Sequence, residues 1–195
     1  MQPSLAKVFE KLVLDNIGPF LWRHITPYQH GFTSGRSTST NLVAFQSYVM
    51  DAFERREQVD TLYLDFSKAF DRVCHQRLIN KLSEYGIVGA LLGWFNSYLS
   101  NRRLSVRFAA STSNWFVATS GVPQGSIMGP TLFNIFINDI VTCITTNCLL
   151  FADDIKMYNA FSSTKDGSEL QRDLQAISAW CDDNRMTLNL KKCFV

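Results

Sequence analysis

Apolar residues along this chain recur at two spacings, and the switches between those spacings divide it into helices and strands. Leu5, Val8, Phe9, Leu12 and Ile17 fall at helical intervals, predicting an opening helix that stops at Gly18-Pro19. A polar stretch at 29–40 gives way to a second helix carrying Leu42, Phe45, Val49, Ala52 and Phe53. Residues 61–66 switch to period two, with Thr61, Tyr63 and Asp65 on one face of a strand and Leu62, Leu64 and Phe66 on the other. Helical spacing returns in Leu78, Ile79, Leu82 and Tyr85, ended by Gly86, and again in Leu91, Leu92, Trp94, Phe95, Tyr98 and Leu99. Residues 104–108 and 115–119 read as a hairpin around ASTSN, with Arg102, Arg103 and Arg107 beside it. Gly129-Pro130 opens a helix whose apolar residues are Leu132, Phe133, Phe136, Ile137 and Ile140. NCLLFADDIKMY at 147–158 reads as two strands joined at Asp153-Asp154. A last helix (Leu170, Leu174, Ile177, Cys181) precedes a short strand at 186–190. Few strands, interspersed with helices and without a repeating βα unit, predict an α+β fold.

Composition narrows the class without naming it. The chain has 195 residues, enough for one sizeable core, and a hydrophobic share of 46% with 15 Phe excludes a disordered tail. Nineteen basic against 17 acidic residues leave a net charge of +2, so any phosphate-binding surface must come from local clustering. No apolar run reaches the roughly 20 residues of a membrane span. MQPSLAKVFEKL lacks the basic flank and apolar core of a secretion signal. The five cysteines (74, 143, 148, 181 and 193) include no Cys-x-x-Cys pair, which argues against a zinc site or a disulfide framework. An intracellular protein, cytoplasmic or nuclear, is expected. The histidines (24, 30 and 75) show no ligand spacing and read as structural.

Three segments carry candidate chemistry. Adjacent carboxylates at Asp153 and Asp154 repel each other and suit a hard dication such as Mg²⁺, although a hydrophilic hairpin tip would look the same. Asp65 ends a mostly apolar strand, where a carboxylate needs a partner or a metal; alternatively it, or Asp71, caps the helix that follows. In SGVPQGSIMGP at 120–130, Pro123-Gln124-Gly125 makes a rigid turn whose glycine permits close approach of a nucleic-acid backbone or a sugar; it is equally a simple packing loop.

Taken together these segments resemble the reverse transcriptase domain of non-LTR, LINE-like retrotransposons, and the resemblance covers nearly the whole chain. KVFEKLVLDNI at 7–17 is similar to the opening helix, QHGFTSGRSTSTNL at 29–42 to the fingers motif, and LDFSKAFDRV at 64–73 to motif A. SGVPQGSIMGP is similar to motif B, FADD at 151–154 to motif C, and MTLNLKKC at 186–193 to motif D. Phe151, where retroviral enzymes carry Tyr, points to the non-LTR branch.

The resemblance implies a right-hand polymerase palm, an antiparallel sheet with flanking helices, plus part of the fingers, and no thumb. It implies an RNA template, a DNA primer and deoxynucleoside triphosphates as partners, and two Mg²⁺ ions, with Mn²⁺ as a substitute. Asp65, Asp153 and Asp154 would be the catalytic metal ligands. Phe66, Ser67 and Lys68 would face the triphosphate, Phe70 would act as the steric gate against a 2′-hydroxyl, and Gln124 would contact the nucleotide. Gly125 would lie by the template, Arg36 would meet template or phosphates, and Lys192 would be the motif D proton donor. For Phe70 the alternative is core packing; for Lys192 and Arg36 it is plain solvation. An Arg-Pro-Ile-Ser-Leu-like strand that family members carry before the first helix is replaced by MQPS, and KKCFV ends inside motif D. Residues 1–195 are therefore expected to be a single fingers and palm domain truncated at both ends, and a poor polymerase by itself. Two other classes compete. A viral RNA-dependent RNA polymerase would carry Gly-Asp-Asp and no aromatic gate, against Ala152 and Phe70. The other is an inactive remnant that at most binds nucleic acid.

Overall fold

The structure, a computed structural model, describes residues 3–162 and 168–195. Its centre is a three-stranded antiparallel sheet of β1 (Gln58–Leu64), β6 (Asn147–Phe151) and β7 (Asp154–Phe161), ordered β1-β7-β6. The register sets Leu64 opposite Ile155 and Phe151 opposite Asp154. β6 and β7 are thus joined by the two residues Ala152 and Asp153, and Asp65 follows directly on the paired end of β1.

Each face of the sheet has its own cover. Leu64, Leu150, Ile155 and Met157 point into the main core. There they join α6 (Gly129–Ile137), the 3₁₀ segment Asn138–Cys143 and α7 (Ser168–Asn184). All but one residue of α6 are buried, the expected fate of a helix that is apolar all round. α4 (His75–Glu84) and α5 (Gly89–Leu99) close the core through Leu78, Leu82, Phe95 and Leu99. On the opposite face lies α2 (Thr38–Glu54), whose Phe45 and Tyr48 meet the Tyr158 ring edge-on at 5.0 and 4.8 Å. α2 starts in a capping box between Ser37 and Thr40. Helices on both faces of an antiparallel sheet make the fold α+β.

Several sequence expectations change. α1 (Ser4–Trp22) runs through Pro19 instead of stopping there. Burial of Leu21 and packing of Phe20 on the core hold its last turn against the backbone bond that proline removes. The face of α1 turned inward is Glu10, Leu14, Gly18 and Leu21, whereas Leu5 and Leu12 of the predicted stripe are 84% and 58% exposed. α1 has two apolar faces, and spacing alone does not say which one packs. On α2, Leu42 and Phe53 are likewise exposed while Asn41 and Ala52 are buried.

The expected hairpin is a two-part ribbon. β2 (Arg102–Leu104) pairs with β5 (Phe116–Ala118), and β3 (Arg107–Phe108) pairs with β4 (Ser111–Thr112) around Ala109, which has φ +51°. No regular strand forms at 186–190. Isolated bridges join Leu188 to Phe66 and Phe194 to Tyr63 instead, so the C-terminal segment rides along the free edge of β1. Between β1 and α4, Ala69–Arg72 forms a single turn, α3, whose N-cap is Lys68 at φ +54°. Neither Asp65 nor Asp71 caps it. Residues 1 and 2, the start of the MQPS segment, lie outside the described residues.

Candidate active site

Sheet register brings the carboxylates together. Asp65 leaves β1 beside the start of β7, where Asp154 stands, and Asp153 occupies the intervening turn. Asp65 and Asp154 line one cavity of about 670 Å³, with Tyr63, Phe151, Lys156 and Lys192 among its walls. The Asp65 backbone is fixed from the C-terminal side, where its carbonyl accepts the Asn189 N–H at 2.8 Å. Its side chain has two different oxygens. Oδ2 receives the Lys192 ammonium at 3.2 Å, and Oδ1 is buried without a hydrogen-bond partner. A buried acceptor left bare costs about 1–3 kcal/mol, and more when charged, so it asks for a cation or a donor.

The electrostatics report the same convergence. Burial pushes the Asp153 carboxyl above the ordinary aspartate value, and the Asp65 charge pushes it further. Burial also raises Asp154, followed by the charges of Asp153 and Asp65. Lys192 pulls both the other way. Asp153 therefore feels the charge of Asp65, and Asp154 feels both. Among the described residues, no three His, Cys, Asp or Glu side chains are placed to hold an ion together as they stand. Lys192 is the cation nearest to hand on Asp65.

The nucleotide-side candidates are divided between two segments that pair with each other. Phe66 is buried near the Trp180 ring, and the Ser67 N–H donates to the Thr187 carbonyl at 2.8 Å, so in this conformation it is engaged within the protein. Lys68 is exposed. Phe70 is half-buried, stacked on Phe133 at 4.3 Å and edge-on to Phe32 at 6.3 Å. It is both a packing residue and one with a face left to offer.

The loop before α6 locks onto the same turn. The Val122 N–H donates to the Phe70 carbonyl at 2.9 Å, and the Gly121 N–H to the Val73 carbonyl at 2.8 Å. Gly121, at φ +82°, could not carry a side chain, since a Cβ would lie 2.7 Å from the Asp71 carbonyl oxygen. The Gln124 amide donates to Asp71 Oδ1 at 2.9 Å, which tethers it beside Phe70. Gly125 has φ +75° and open space where a Cβ would be. Arg36 folds back on its own loop, its guanidinium donating to the Pro27 carbonyl.

Three supporting residues are absent from the site that the sequence predicts. Glu10, on α1, is 2% exposed. Its carboxylate accepts from the Tyr98 hydroxyl at 2.8 Å, the Ile127 N–H at 2.7 Å and the Met128 N–H at 3.4 Å. It thereby anchors the end of the Gln124 loop. Gln29 and Gly31 lie inside the QHGF segment and contact the Ala152 backbone. A polar residue on an otherwise apolar helix face, as Glu10 is, was the available clue for the first; Gln-x-Gly in a polar loop offered none.

Known proteins resemble this chain in sequence and in fold. A family profile described as reverse transcriptase (RNA-dependent DNA polymerase) matches residues 1–195. Among curated proteins, the probable RNA-directed DNA polymerase from transposon BS of Drosophila melanogaster is 32% identical over 97% of this chain and 22% of its own length. The RNA-directed DNA polymerase from mobile element jockey of Drosophila funebris is 31% identical over 98% of this chain and 22% of its own. The chain thus spans about a fifth of these relatives. Among solved structures, telomerase from Candida tropicalis in complex with a fragment of telomeric RNA matches with a TM-score of 0.71 at 12% identity, over 98% of this chain and 33% of that one. The Candida albicans telomerase matches at 0.66, with 14% identity, over 98% and 34%. At such identities the likeness concerns the fold, a palm-like polymerase fold.

Proposed function

Because the chain belongs to the reverse transcriptase (RNA-dependent DNA polymerase) family, with curated relatives in non-LTR retrotransposons, we propose that it forms the palm and part of the fingers of an RNA-directed DNA polymerase. Its substrates are an RNA template, a DNA primer and deoxynucleoside triphosphates. The observation that carries this reading is the meeting of Asp65 with the Asp153-Asp154 turn on neighbouring strands, with Asp65 Oδ1 buried and unpartnered.

Hard oxygen donors and a bare buried carboxylate oxygen fit Mg²⁺, or Mn²⁺ in its place. Asp65 and Asp153 would hold two such ions, with Asp154 supporting the primer-side one. When bound, the ions stabilise charge on the attacking and leaving oxygens of nucleotidyl transfer. The primer 3′-hydroxyl attacks the α-phosphorus and pyrophosphate leaves. Lys192 Nζ, freed from Asp65, supplies a proton to the departing pyrophosphate. Lys68, with the backbone at Phe66 and Ser67, faces the triphosphate. The open face of Phe70 lies under the sugar and excludes a 2′-hydroxyl, while Gln124, held by Asp71, contacts the same nucleotide. Gly125 leaves room for the template backbone, and Arg36 stands in the fingers loop for template or phosphate contact.

A second reading, a nucleic-acid-binding remnant without catalysis, is favoured by one observation: Lys192 already pairs with Asp65, and among the described residues no three His, Cys, Asp or Glu side chains stand ready for an ion. Single-turnover primer extension on an RNA template, with protein in excess over primer, separates the two. Slow Mg²⁺-dependent incorporation of deoxynucleotides, lost in Asp153→Ala, is expected. Template binding without incorporation, or incorporation unaffected by Asp153→Ala, would leave only the second reading.

A further inference from the structure

The turn that carries Asp153 has an unusual backbone and an unusual neighbour. Ala152 adopts φ +55°, a left-handed conformation that residues with a side chain seldom take and that must be held by its surroundings. Gln29 holds it from both sides. The Ala152 N–H donates to Gln29 Oε1 at 2.8 Å, and Gln29 Nε2 donates to the Ala152 carbonyl at 3.2 Å. One side-chain amide thus completes both backbone bonds of one turn residue, as a neighbouring strand would. Gln29 is 1% exposed, so water does not compete for these bonds.

The loop carrying Gln29 is itself immobilised. Gln29 Oε1 also accepts the Gly31 N–H at 2.8 Å, which sets the amide's orientation. The His30 N–H donates to the Leu150 carbonyl and the Leu150 N–H to the Tyr28 carbonyl, each at 2.9 Å, so residues 28–30 extend the sheet beyond β6. From α6, Asn134 Nδ2 donates to the Gly31 carbonyl at 2.8 Å. Gly31 has no room for a side chain, since a Cβ would lie 2.3 Å from the Ala152 nitrogen. The loop and the turn are packed backbone to backbone.

We propose that Gln29 is a positioning residue for the carboxylate site, fixing the left-handed turn at Ala152 so that Asp153 projects toward Asp65. The proposal rests on the reading of these carboxylates as divalent-cation ligands. Gln29 spends both ends of its amide on the Ala152 backbone and offers no ligand atom to the site. It acts one residue away, through the backbone, and groups that orient ligands in this way affect metal affinity roughly 10- to 100-fold.

Two measurements on the full chain test it. In the wild type, amide hydrogen exchange followed by ¹⁵N NMR should show Ala152 strongly protected; exchange at the rate of a free amide would overturn the proposal. Binding of Mn²⁺ alone, read by electron paramagnetic resonance, should weaken roughly ten-fold or more in Gln29→Ala. Affinity should return in Gln29→Ala/Ala152→Gly, because glycine takes positive φ without help. Unchanged Mn²⁺ affinity in a folded Gln29→Ala would overturn the proposal. If that variant does not fold, the wild-type exchange rate at Ala152 decides alone. Asp153→Asn separates the two levels. Loss of Mn²⁺ in Asp153→Asn but not in Gln29→Ala removes only the role of Gln29, whereas no effect of Asp153→Asn removes the carboxylate reading and this proposal with it.

Discussion

Replacing Glu10 tests whether the opening helix governs the loop that carries Gln124. The Glu10 carboxylate is 2% exposed and accepts three hydrogen bonds, from Tyr98, Ile127 and Met128. In Glu10→Ala the Ile127 and Met128 N–H groups and the Tyr98 hydroxyl lose this acceptor in a site closed to water. Hydrogen bonds to a charged group contribute about 1.5–3 kcal/mol each, and orphaned partners add their own cost. The 3.4 Å bond to Met128 is weak, so two strong bonds dominate. The expected loss is about 3–5 kcal/mol, a large share of the roughly 5–15 kcal/mol that stabilises a domain. For a chain of this size each kcal/mol lowers the melting temperature by about 2–4 °C, so Glu10→Ala should melt roughly 10 °C or more below the wild type. Glu10→Gln keeps one acceptor oxygen and should lose about half as much. Thermal and urea unfolding measure the stability, and amide exchange at residues 122–128 measures the loop. A Glu10→Ala variant within about 1 kcal/mol of wild type, with its loop equally protected, would show that Glu10 does not hold this loop.

Further outcomes follow from the same site. Phe70→Val should raise ribonucleotide incorporation while sparing deoxynucleotides; equal loss of both would mean that stacking on Phe133 is the whole role of the ring. Asp153 and Asp154 have raised pKa values, so their contribution to stability is present at low pH and lost as pH rises through those values; in the metal-free chain they oppose folding at neutral pH. Mg²⁺ at a hundred-fold excess over its Kd should therefore restore ~2.7 kcal/mol at neutral pH. Differential scanning calorimetry should show that gain vanish as pH falls through the raised carboxylate range, and vanish at every pH in Asp153→Asn/Asp154→Asn. Lys192→Met should change stability by less than about 1 kcal/mol, since its side chain is 65% exposed, yet slow incorporation at saturating deoxynucleotide. An unchanged rate of incorporation would reduce Lys192 to a surface ion pair.

How much of this was legible in the sequence depends on the kind of information each feature needs. Period-two spacing at 61–66 and 147–158 gave the strands, and Gly129-Pro130 opened a helix where expected, because these signals are local. The pairing that sets Asp65 beside Asp154 is long-range and came only from the resemblance. α1 was misjudged because it has two apolar faces and because burial of Leu21 overrides Pro19. The expected short strand at 186–190 does not form, since that segment finds only isolated bridges on the edge of β1. Gln29, Gly31 and Glu10 went unnoticed for a common reason. Each acts on backbone groups of another segment, and composition carries no trace of which backbone a side chain will meet.

In the proposed polymerase Asp65 and Asp153 would share a divalent cation. A crystal of the chain grown with Mn²⁺ and measured at the manganese absorption edge tests it in one map. An anomalous peak in contact with both carboxylates is expected, with Lys192 displaced from Asp65. Well-ordered carboxylates with Lys192 still on Asp65 and no peak between them would contradict it.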